Sequence, residues 1–400
     1  MRHLTALSAP LALCLAAGPV AAQEFERGPR NTDLEPASED QFRAPLETTD
    51  ITLDTTVIAG GLVHPWGIEV LPGEQGYLVT ERPGRLRTVS RDGIVSDPIS
   101  GVPEVLNQRQ GGLLDVALAP DFEDSRRIYL SYAKPVGDGL SATAAAYATL
   151  SEDMTALEDV TEIFVQEPGS TVPMHFGSRV DFDGNGHVYI TTGEHSSPET
   201  RVFAQDLDKT YGKTIRLTLD GEVPQDNPFV GEEGAVPSIW SYGHRNPQGA
   251  MVQDGDLWVI EHGPAGGDEL NAVEPGLNYG WPVISYGQNY NGSEVGEGIA
   301  QQEGMEQPVY FWDPVIAPGG MTMYDGSAFS DWQGDLFIGS LSPGGIVRLE
   351  LDGGTVVAEE RLQMDLGRVR DVTVDDDGGL LAITDFEDGE IVKILPASGS

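Results

Sequence analysis

The stretch 182-FDGNGHVYITTGE-194 joins a turn of Asp, Asn and Gly to a short apolar strand. Turn residues beside an alternating or wholly apolar run are typical of a β-hairpin. The same unit recurs five times along the chain. The other copies are 71-LPGEQGYLVTERPGRLRTV-89, 120-PDFEDSRRIYLSYA-133, 253-QDGDLWVIEHGP-264, 332-WQGDLFIGSLSPGGIVRLELDGG-354 and 375-DDDGGLLAITDFEDGEIVKIL-395.

Six copies spaced by about 45 to 80 residues favour a radial array, because each small sheet needs neighbours to bury both of its faces. The sequence therefore predicts an all-β fold, a six-bladed β-propeller with four-stranded antiparallel blades. A pair of β-sandwiches is the alternative. We expect 51-ITLDTTVIAGGL-62 to pair with the last blade and close the ring. The longer segments 219–250 and 263–315 are expected to form loops on the functional face.

The N-terminal part of the chain is divided by composition. Residues 1–22 combine Arg2, an apolar run and the small pair Ala21-Ala22, which predicts a secretory signal peptide cleaved after Ala22. Residues 23–50 are polar and acidic, which predicts a flexible leader. Residues 51–400 are assigned to the propeller. We therefore expect a periplasmic or secreted protein that does not insert into a membrane.

Charge and cysteine content exclude several function classes. The formal net charge is −41, which repels nucleic acid and anionic membranes. Cys14 is the only cysteine and lies within the predicted signal peptide. Thiolate metal sites and cysteine nucleophiles are therefore not expected in the mature chain.

One histidine has a carboxylate placed to support it. His175 precedes one strand of a predicted pair, Gly177 allows close backbone approach, and Glu194 ends that pair. A histidine held by a carboxylate suits general-base catalysis near neutral pH. A purely structural histidine is the alternative.

The remaining motifs indicate a ligand. The segment 261-EHGPAGGDELN-271 offers carbonyls and acids that suit Ca²⁺, with a simple tight turn as the alternative. Arg245, Asn246 and Gln248 lie in 241-SYGHRNPQG-249, and 367-GRVRD-371 places Arg368 and Arg370 on one face of an extended segment. Paired guanidiniums recognise carboxylates. Aromatic rings occur in 278-NYGWP-282 and 286-YGQNY-290. Together these residues predict a planar, polyanionic small molecule bound with a metal ion.

The sequence resembles the soluble quinoprotein sugar dehydrogenases, which use pyrroloquinoline quinone (PQQ) and Ca²⁺, and is more similar to their aldose sugar dehydrogenase branch than to the soluble glucose dehydrogenases. The resemblance covers residues 55–396. It is carried by the motifs 107-NQRQGGLLDVALAPDF-122, 175-HFGSR-179, 241-SYGHRNPQG-249, 261-EHGPAGGDELN-271, 278-NYGWP-282 and 368-RVRD-371.

The resemblance implies a role for each matched position. It implies that His175 is the base for the anomeric hydroxyl of an aldose, that Glu194 steadies it, and that the carbonyls of Gly263 and Pro264 hold Ca²⁺. Glu269 and Tyr279 match positions linked to a second Ca²⁺. The implied PQQ contacts are Gln110, Arg245, Asn246, Gln248, Tyr290, Arg368 and Arg370.

One position departs from the family. Where the family often carries a lysine near the cofactor, this chain has Ser342. The alternative function is therefore a non-catalytic propeller that binds a ligand or a protein; a metal-dependent lactonase is a further one. For the enzyme we expect an aldose substrate, an unidentified electron acceptor, and a monomer or homodimer that binds no nucleic acid.

Overall fold

The computed structural model describes residues 25–397, which form a ring of six antiparallel sheets. The strands follow in chain order. They are β1 (Leu53–Leu62), β2 (Pro65–Leu71), β3 (Gly76–Glu81), β4 (Arg85–Val89), β5 (Leu113–Leu118), β6 (Arg127–Gly137), β7 (Leu140–Leu150), β8 (Leu157–Val165), β9 (Gly177–Phe182), β10 (His187–Thr192), β11 (Lys213–Thr218), β12 (Ile239–Tyr242), β13 (Pro247–Gln253), β14 (Asp256–Glu261), β15 (Asp268–Val273), β16 (Tyr310–Trp312), β17 (Pro318–Met323), β18 (Leu336–Ser340), β19 (Ile346–Asp352), β20 (Thr355–Leu362), β21 (Val369–Val374), β22 (Leu380–Thr384) and β23 (Gly389–Pro396).

Each sheet is one blade. Strands β2–β4 form blade 1, β5–β8 blade 2, β9–β12 blade 3, β13–β16 blade 4, β17–β20 blade 5, and β21–β23 with β1 form blade 6. Blade 1 has three full strands, and beyond β4 only an isolated bridge joins Val89 to Val95. The predicted six-bladed propeller is confirmed, and each of the six repeated hairpins lies in a different blade.

Helical structure in residues 25–397 is short. It comprises α1 (Phe122–Ser125) and the 3-10 turns Glu39–Gln41, Arg201–Gln205, Ser330–Trp332 and Met364–Leu366. None of these helices has the length and apolar character needed to cross a membrane.

The ring closes as expected from the sequence. Strand β1 pairs with β23 in antiparallel register from Leu53 opposite Pro396 to Leu62 opposite Gly389. A separate apolar cluster fills each of the six interfaces between neighbouring blades. Ile190, for example, is fully buried between blades 2 and 3. Every blade therefore buries apolar side chains against two neighbours.

The innermost strands share one direction. β2, β5, β9, β13, β17 and β21 all begin at the end of the ring where His175 lies, which we call the upper end, and finish at the lower end. Residues at the starts of six strands therefore meet around one cavity.

The prediction of a flexible leader differs from the structure. Residues 25–50 lie along the outer edges of blades 4 and 5, where Phe42 stacks on Phe311 with ring centroids 4.5 Å apart. Arg27 pairs with Glu359 at 3.2 Å, and Gln41 is 3% exposed. The acidic composition predicted flexibility, but a few aromatic and arginine side chains among the acidic residues are enough to anchor the segment. The predicted signal peptide, residues 1–22, lies outside the described residues.

The segment 219–250, predicted to be a loop on the functional face, contains strand β12 and the start of β13. Residues 219–238 connect the lower ends of β11 and β12, so they lie away from the candidate site. Only 243–246, between β12 and β13, reach the upper end. The excursion 274–309 starts at the lower end of β15 but runs upward beside β12, where Tyr242 bridges Asn278. Length alone could not indicate which end of a strand a loop would follow.

Candidate active site

A cavity of about 220 Å³ opens where the innermost strands begin. Its lining includes eight side chains singled out in the sequence. They are Gln110, His175, Arg245, Asn246, Gln248, Tyr290, Arg368 and Arg370. We call this space the upper cavity. The fold thus brings together residues that lie up to 260 positions apart in the chain.

His175 and Glu194 form a buried pair beside this cavity. Nδ1 of His175 lies 2.9 Å from Oε1 of Glu194, whose Oε2 accepts a hydrogen bond from the Ser196 amide at 2.8 Å. Burial lowers the pKa of His175 well below its usual value, and Arg245 lowers it further. Burial raises the pKa of Glu194 to about 7, against the opposing effect of Arg245. The imidazole is therefore neutral near pH 7. When Glu194 is ionised, Nδ1–H donates to it and Nε2 is left as an acceptor.

Two glycines make this pair possible. Gly177 has φ +65°, and a Cβ there would lie 2.8 Å from the carbonyl carbon of Thr192. A Cβ on Gly193 would lie 2.0 Å from the carbonyl oxygen of His175. The backbones before β9 and after β10 therefore pack in direct contact, which brings Glu194 within reach of the imidazole.

The three predicted amides use their oxygens inside the protein. Oε1 of Gln110 accepts from the His175 amide at 2.8 Å, and Oδ1 of Asn246 accepts from the Gly177 amide at 3.1 Å. Oε1 of Gln248 accepts from Arg370 at 2.7 Å. Within the described residues, none of the three amide nitrogens donates a hydrogen bond. Their NH₂ groups are therefore left as donors for a ligand.

The arginines are aligned by one carboxylate and two carbonyl groups. Asp385 accepts from Arg368 at 2.9 Å and from Arg370 at 2.6 Å, and these guanidiniums hold its pKa far below the usual range although burial opposes them. Arg245 donates to the carbonyl of His262 at 2.9 Å. The Nε atoms of Arg245 and Arg370 are buried without a partner. The guanidiniums are thus oriented but retain unused donors, which suits an anion.

The glycine-rich loop after β14 presents carbonyls. Its carboxylate Asp268 is occupied by backbone amides, accepting from Gly263 at 2.7 Å and from Ile316 at 2.8 Å. The carbonyls of Gly263 and Pro264 accept none of the hydrogen bonds formed among residues 25–397. A Cβ on Gly263 would lie 2.2 Å from Gly267, so only glycine fits there. Unpaired carbonyls on a rigid loop suit a hard cation.

Glu269 and Tyr279 meet at a different, narrow cavity of about 10 Å³, which has room for about one water molecule or ion. Glu261 and Gly263 also line it, whereas Pro264 does not. Burial raises the pKa of Glu269 well above its usual value, and neighbouring Glu261 raises it further. The Tyr279 hydroxyl donates to the carbonyl of Ala272 at 2.8 Å and is therefore engaged within the protein. The structure thus brings together three of the four predicted metal residues. Among residues 25–397, no three His, Cys, Asp or Glu side chains converge on one point.

The remaining predicted positions differ in exposure. Tyr290 is 78% exposed and lies at the mouth of the upper cavity. It also lines a second cavity of about 470 Å³, together with Arg201 and Trp281. Ser342 does not line the upper cavity; the preceding Leu341 does. Ser342 instead faces a space between the leader and blades 4 and 5.

Six lining residues were not found from the sequence: Trp66, Arg82, His262, Ala317, Leu341 and Asp385. One signal was available for the aspartate. The second strand of a repeat ends on or just before a carboxylate in four blades, at Glu81, Glu194, Glu261 and Asp385. Three of these carboxylates orient groups of the site. Glu194 and Asp385 do so through the contacts described above, and Glu261 accepts a hydrogen bond from the amide of Arg245 at 2.5 Å.

The chain is similar to several known proteins in sequence and in fold. The sequence model of the glucose/sorbosone dehydrogenase family matches residues 62–393. The chain is 44% identical to the aldose sugar dehydrogenase YliI of Escherichia coli K12 over 86% of this chain and 93% of that protein. The crystal structure of the apo-form of that soluble enzyme superposes with a TM-score of 0.83, covering 86% of this chain and 100% of that one. The PQQ-bound aldose sugar dehydrogenase of Streptomyces coelicolor is 26% identical, with a TM-score of 0.68 over 87% of this chain and 100% of that chain.

Proposed function

The chain belongs to the glucose/sorbosone dehydrogenase family, and we propose that it is an exported, PQQ- and Ca²⁺-dependent aldose sugar dehydrogenase that oxidises the anomeric hydroxyl to a lactone. The observation that carries the proposal is the neutral, carboxylate-held His175 at the edge of an arginine-lined cavity. A relative with 44% identity bears the name aldose sugar dehydrogenase, and one with 26% identity has been solved with PQQ.

The cavity fits the cofactor that we propose. PQQ is a planar tricarboxylate, and the lining offers guanidinium donors from Arg245, Arg368 and Arg370 together with three unused amide NH₂ groups. The unpaired carbonyls of Gly263 and Pro264 would hold Ca²⁺, and the buried carboxylates at the narrow cavity beside Glu269 would take a second cation. When bound, PQQ supplies the hydride acceptor and Ca²⁺ polarises it.

The part of the reaction that we assign to the protein's own side chains is proton transfer. Nε2 of His175 would accept the proton of the anomeric hydroxyl, and Glu194 stabilises the resulting imidazolium through Nδ1. Because burial keeps this histidine neutral below pH 6.5, the base remains available over a wide pH range. Arg245 stands close enough to lower the histidine pKa and would also orient an oxygen of the sugar.

The test begins with purified protein freed of metal and cofactor. PQQ and Ca²⁺ are added singly and together, and dye reduction is followed with glucose and with a disaccharide. We expect activity only with both additions. Tight PQQ binding without reduction of dye by any aldose would favour the non-catalytic propeller, and absence of PQQ binding would refute the proposal.

The location of the enzyme is a separate part of the proposal. The signal peptide predicted at residues 1–22 supports export to the periplasm or the medium. Expression of the full chain, followed by cell fractionation and N-terminal sequencing, should give a protein that starts at Gln23. A cytoplasmic protein that retains its first 22 residues would contradict export.

A further inference from the structure

Arg82 stands apart from the other arginines of the molecule. Of the arginines in residues 25–397, only Arg82 and the exposed Arg109 donate no side-chain hydrogen bond and form no ion pair. Arg82 is partly buried and lines the upper cavity beside Arg368 and Arg370. In a chain of net charge −41, carboxylates are abundant, so a partly buried arginine without a carboxylate is costly.

Its backbone is fixed. Arg82 follows directly after β3, its amide donates to the carbonyl of His64 at 3.2 Å, and its carbonyl accepts from Leu113 at 3.0 Å. A Cβ on Gly112 would lie 2.1 Å from that carbonyl oxygen, which shows how tightly the two segments pack. The side chain therefore projects from a rigid position rather than from a free loop.

The local charge is unbalanced. The described lining of the upper cavity contains four arginines, Arg82, Arg245, Arg368 and Arg370, and one carboxylate, Asp385. Burial lowers the pKa of Arg370, and the positive charges of Arg368 and Arg82 lower it further. Asp385 is already shared by Arg368, Arg370 and His64, whose Nδ1 lies 2.8 Å away. Among residues 25–397, no carboxylate pairs with Arg82.

We propose that Arg82 binds a carboxylate of the same anionic ligand as Arg368 and Arg370, and that it is kept unpaired for this purpose. The inference rests on the proposed function, since the ligand in question is the tricarboxylate PQQ. It brings the cations that line the cavity to four without any contribution from position 342, where the resemblance implied a lysine and the chain has a serine that faces elsewhere.

The test compares two arginines of one turn. Arg82→Gln and Arg85→Gln remove one positive charge each from the segment 82-RPGR-85, but Arg85 is paired with Glu81 at 2.7 Å and does not line the cavity. Binding of PQQ to the apo protein in the presence of CaCl₂ is measured by titration calorimetry, and Arg82→Lys is included as the variant that keeps the charge.

We expect Arg82→Gln to raise the Kd for PQQ by about 10- to 100-fold, because a hydrogen bond between charged groups is lost. Arg85→Gln should stay within about twofold of the parent, and Arg82→Lys should fall between the two. The melting temperature of the apo protein should be unchanged or higher in Arg82→Gln, because no protein partner is lost and repulsion of Arg370 is relieved.

Three results would overturn the inference. They are unchanged PQQ affinity in Arg82→Gln, equal losses of affinity in the Arg82 and Arg85 variants, and a marked fall in the melting temperature of apo Arg82→Gln, which would assign Arg82 a structural role. These outcomes presuppose a parent that binds PQQ. A parent that does not bind PQQ refutes the proposed function itself, and the role of Arg82 falls with it.

Discussion

At the lower end of the ring the six innermost strands line another space, which we call the lower channel, and its charge is opposite to that of the upper cavity. Four arginines and one aspartate line the upper cavity. The lower channel, a space of about 390 Å³, is lined by one arginine, Arg179, and by five carboxylates: Glu69, Asp115, Asp181, Asp325 and Asp371. Arg179 is paired with Asp115 at 2.8 Å and with Asp371 at 3.1 Å.

The two regions handle buried charge in different ways. In the lower channel burial raises the pKa of Asp115 to about 7 and that of Asp181 to about 6, so these groups can become neutral by binding protons. Guanidiniums cannot be neutralised in this way near pH 7. An excess of arginines therefore favours an anion from outside, and this difference is why we propose the upper cavity, rather than the larger channel below it, as the ligand site.

The largest expected effect is a difference in kcat between two histidine variants at opposite ends of blade 3. His175→Ala should lower kcat of the reconstituted enzyme by about 10²- to 10⁴-fold, because a general base is removed. His187→Ala removes a histidine that is also paired with a carboxylate, Asp183 at 2.6 Å, but at the lower end of the same blade. Steady-state kinetics of both variants test the assignment, and comparable losses of kcat would place the chemistry elsewhere.

The next effect concerns the one carboxylate of the upper cavity. Asp385→Asn should lower the free energy of unfolding of the apo protein by about 3–5 kcal/mol, because the buried guanidinium of Arg370 and the partly exposed one of Arg368 lose their counter-ion. Denaturant unfolding measures the loss. Added PQQ with Ca²⁺ should recover part of it, since the ligand would supply the missing negative charge; no recovery would contradict the view that the arginines await an anion.

A smaller effect of opposite sign is expected in the lower channel. Burial raises the folded-state pKa of Asp181 to about 6, so its contribution to stability is lost as pH rises from about 4 to about 6. Asp181→Asn should remove this dependence and make the protein more stable than the parent at pH 8, by up to about 3 kcal/mol. At pH 4 the two proteins should be close. Unfolding curves at both pH values check the sign, and a less stable variant at pH 8 would show that the carboxylate is stabilised there.

The smallest effect should mark the rim of the upper cavity. The side chain of Arg368 is 44% exposed, whereas that of Arg370 is 7% exposed, and both bind Asp385. Arg368→Gln should therefore change the free energy of unfolding of the apo protein by less than about 1 kcal/mol, because Arg370 still holds the carboxylate and solvent screens the lost pair. Thermal melts of the apo variant give the value; a loss as large as that of Asp385→Asn would extend the buried region to the rim.

Repetition made the fold predictable from the sequence. Each hairpin carries its own turn chemistry, so six blades and the closing strand β1 could be counted without knowledge of long-range contacts. The site was predictable where two groups flank one strand pair, as His175 and Glu194 do. It was not predictable where partners come from different blades: Arg370 lies in blade 6, and Gln248, which accepts its hydrogen bond, lies in blade 4.

The leader and Arg82 show the limits of composition and motif. Nothing in residues 23–50 has the alternation of a strand, and the anchoring contacts of Phe42 exist only because the edge of blade 4 is present. Arg82 lies within a repeat that was recognised, but its significance comes from the partner that it lacks, and a missing partner cannot be seen in a sequence.

The pairing of β1 with β23 also affects when the last blade can form during synthesis of the chain. Leu53 is synthesised before almost all of the propeller, whereas Pro396, its partner in the finished sheet, is synthesised after it. Blade 6 therefore cannot be completed until Pro396 has been synthesised, and contacts of such high sequence separation form late. For a chain that we propose to be exported, the ring therefore stays open until its last strand, β23, has been made.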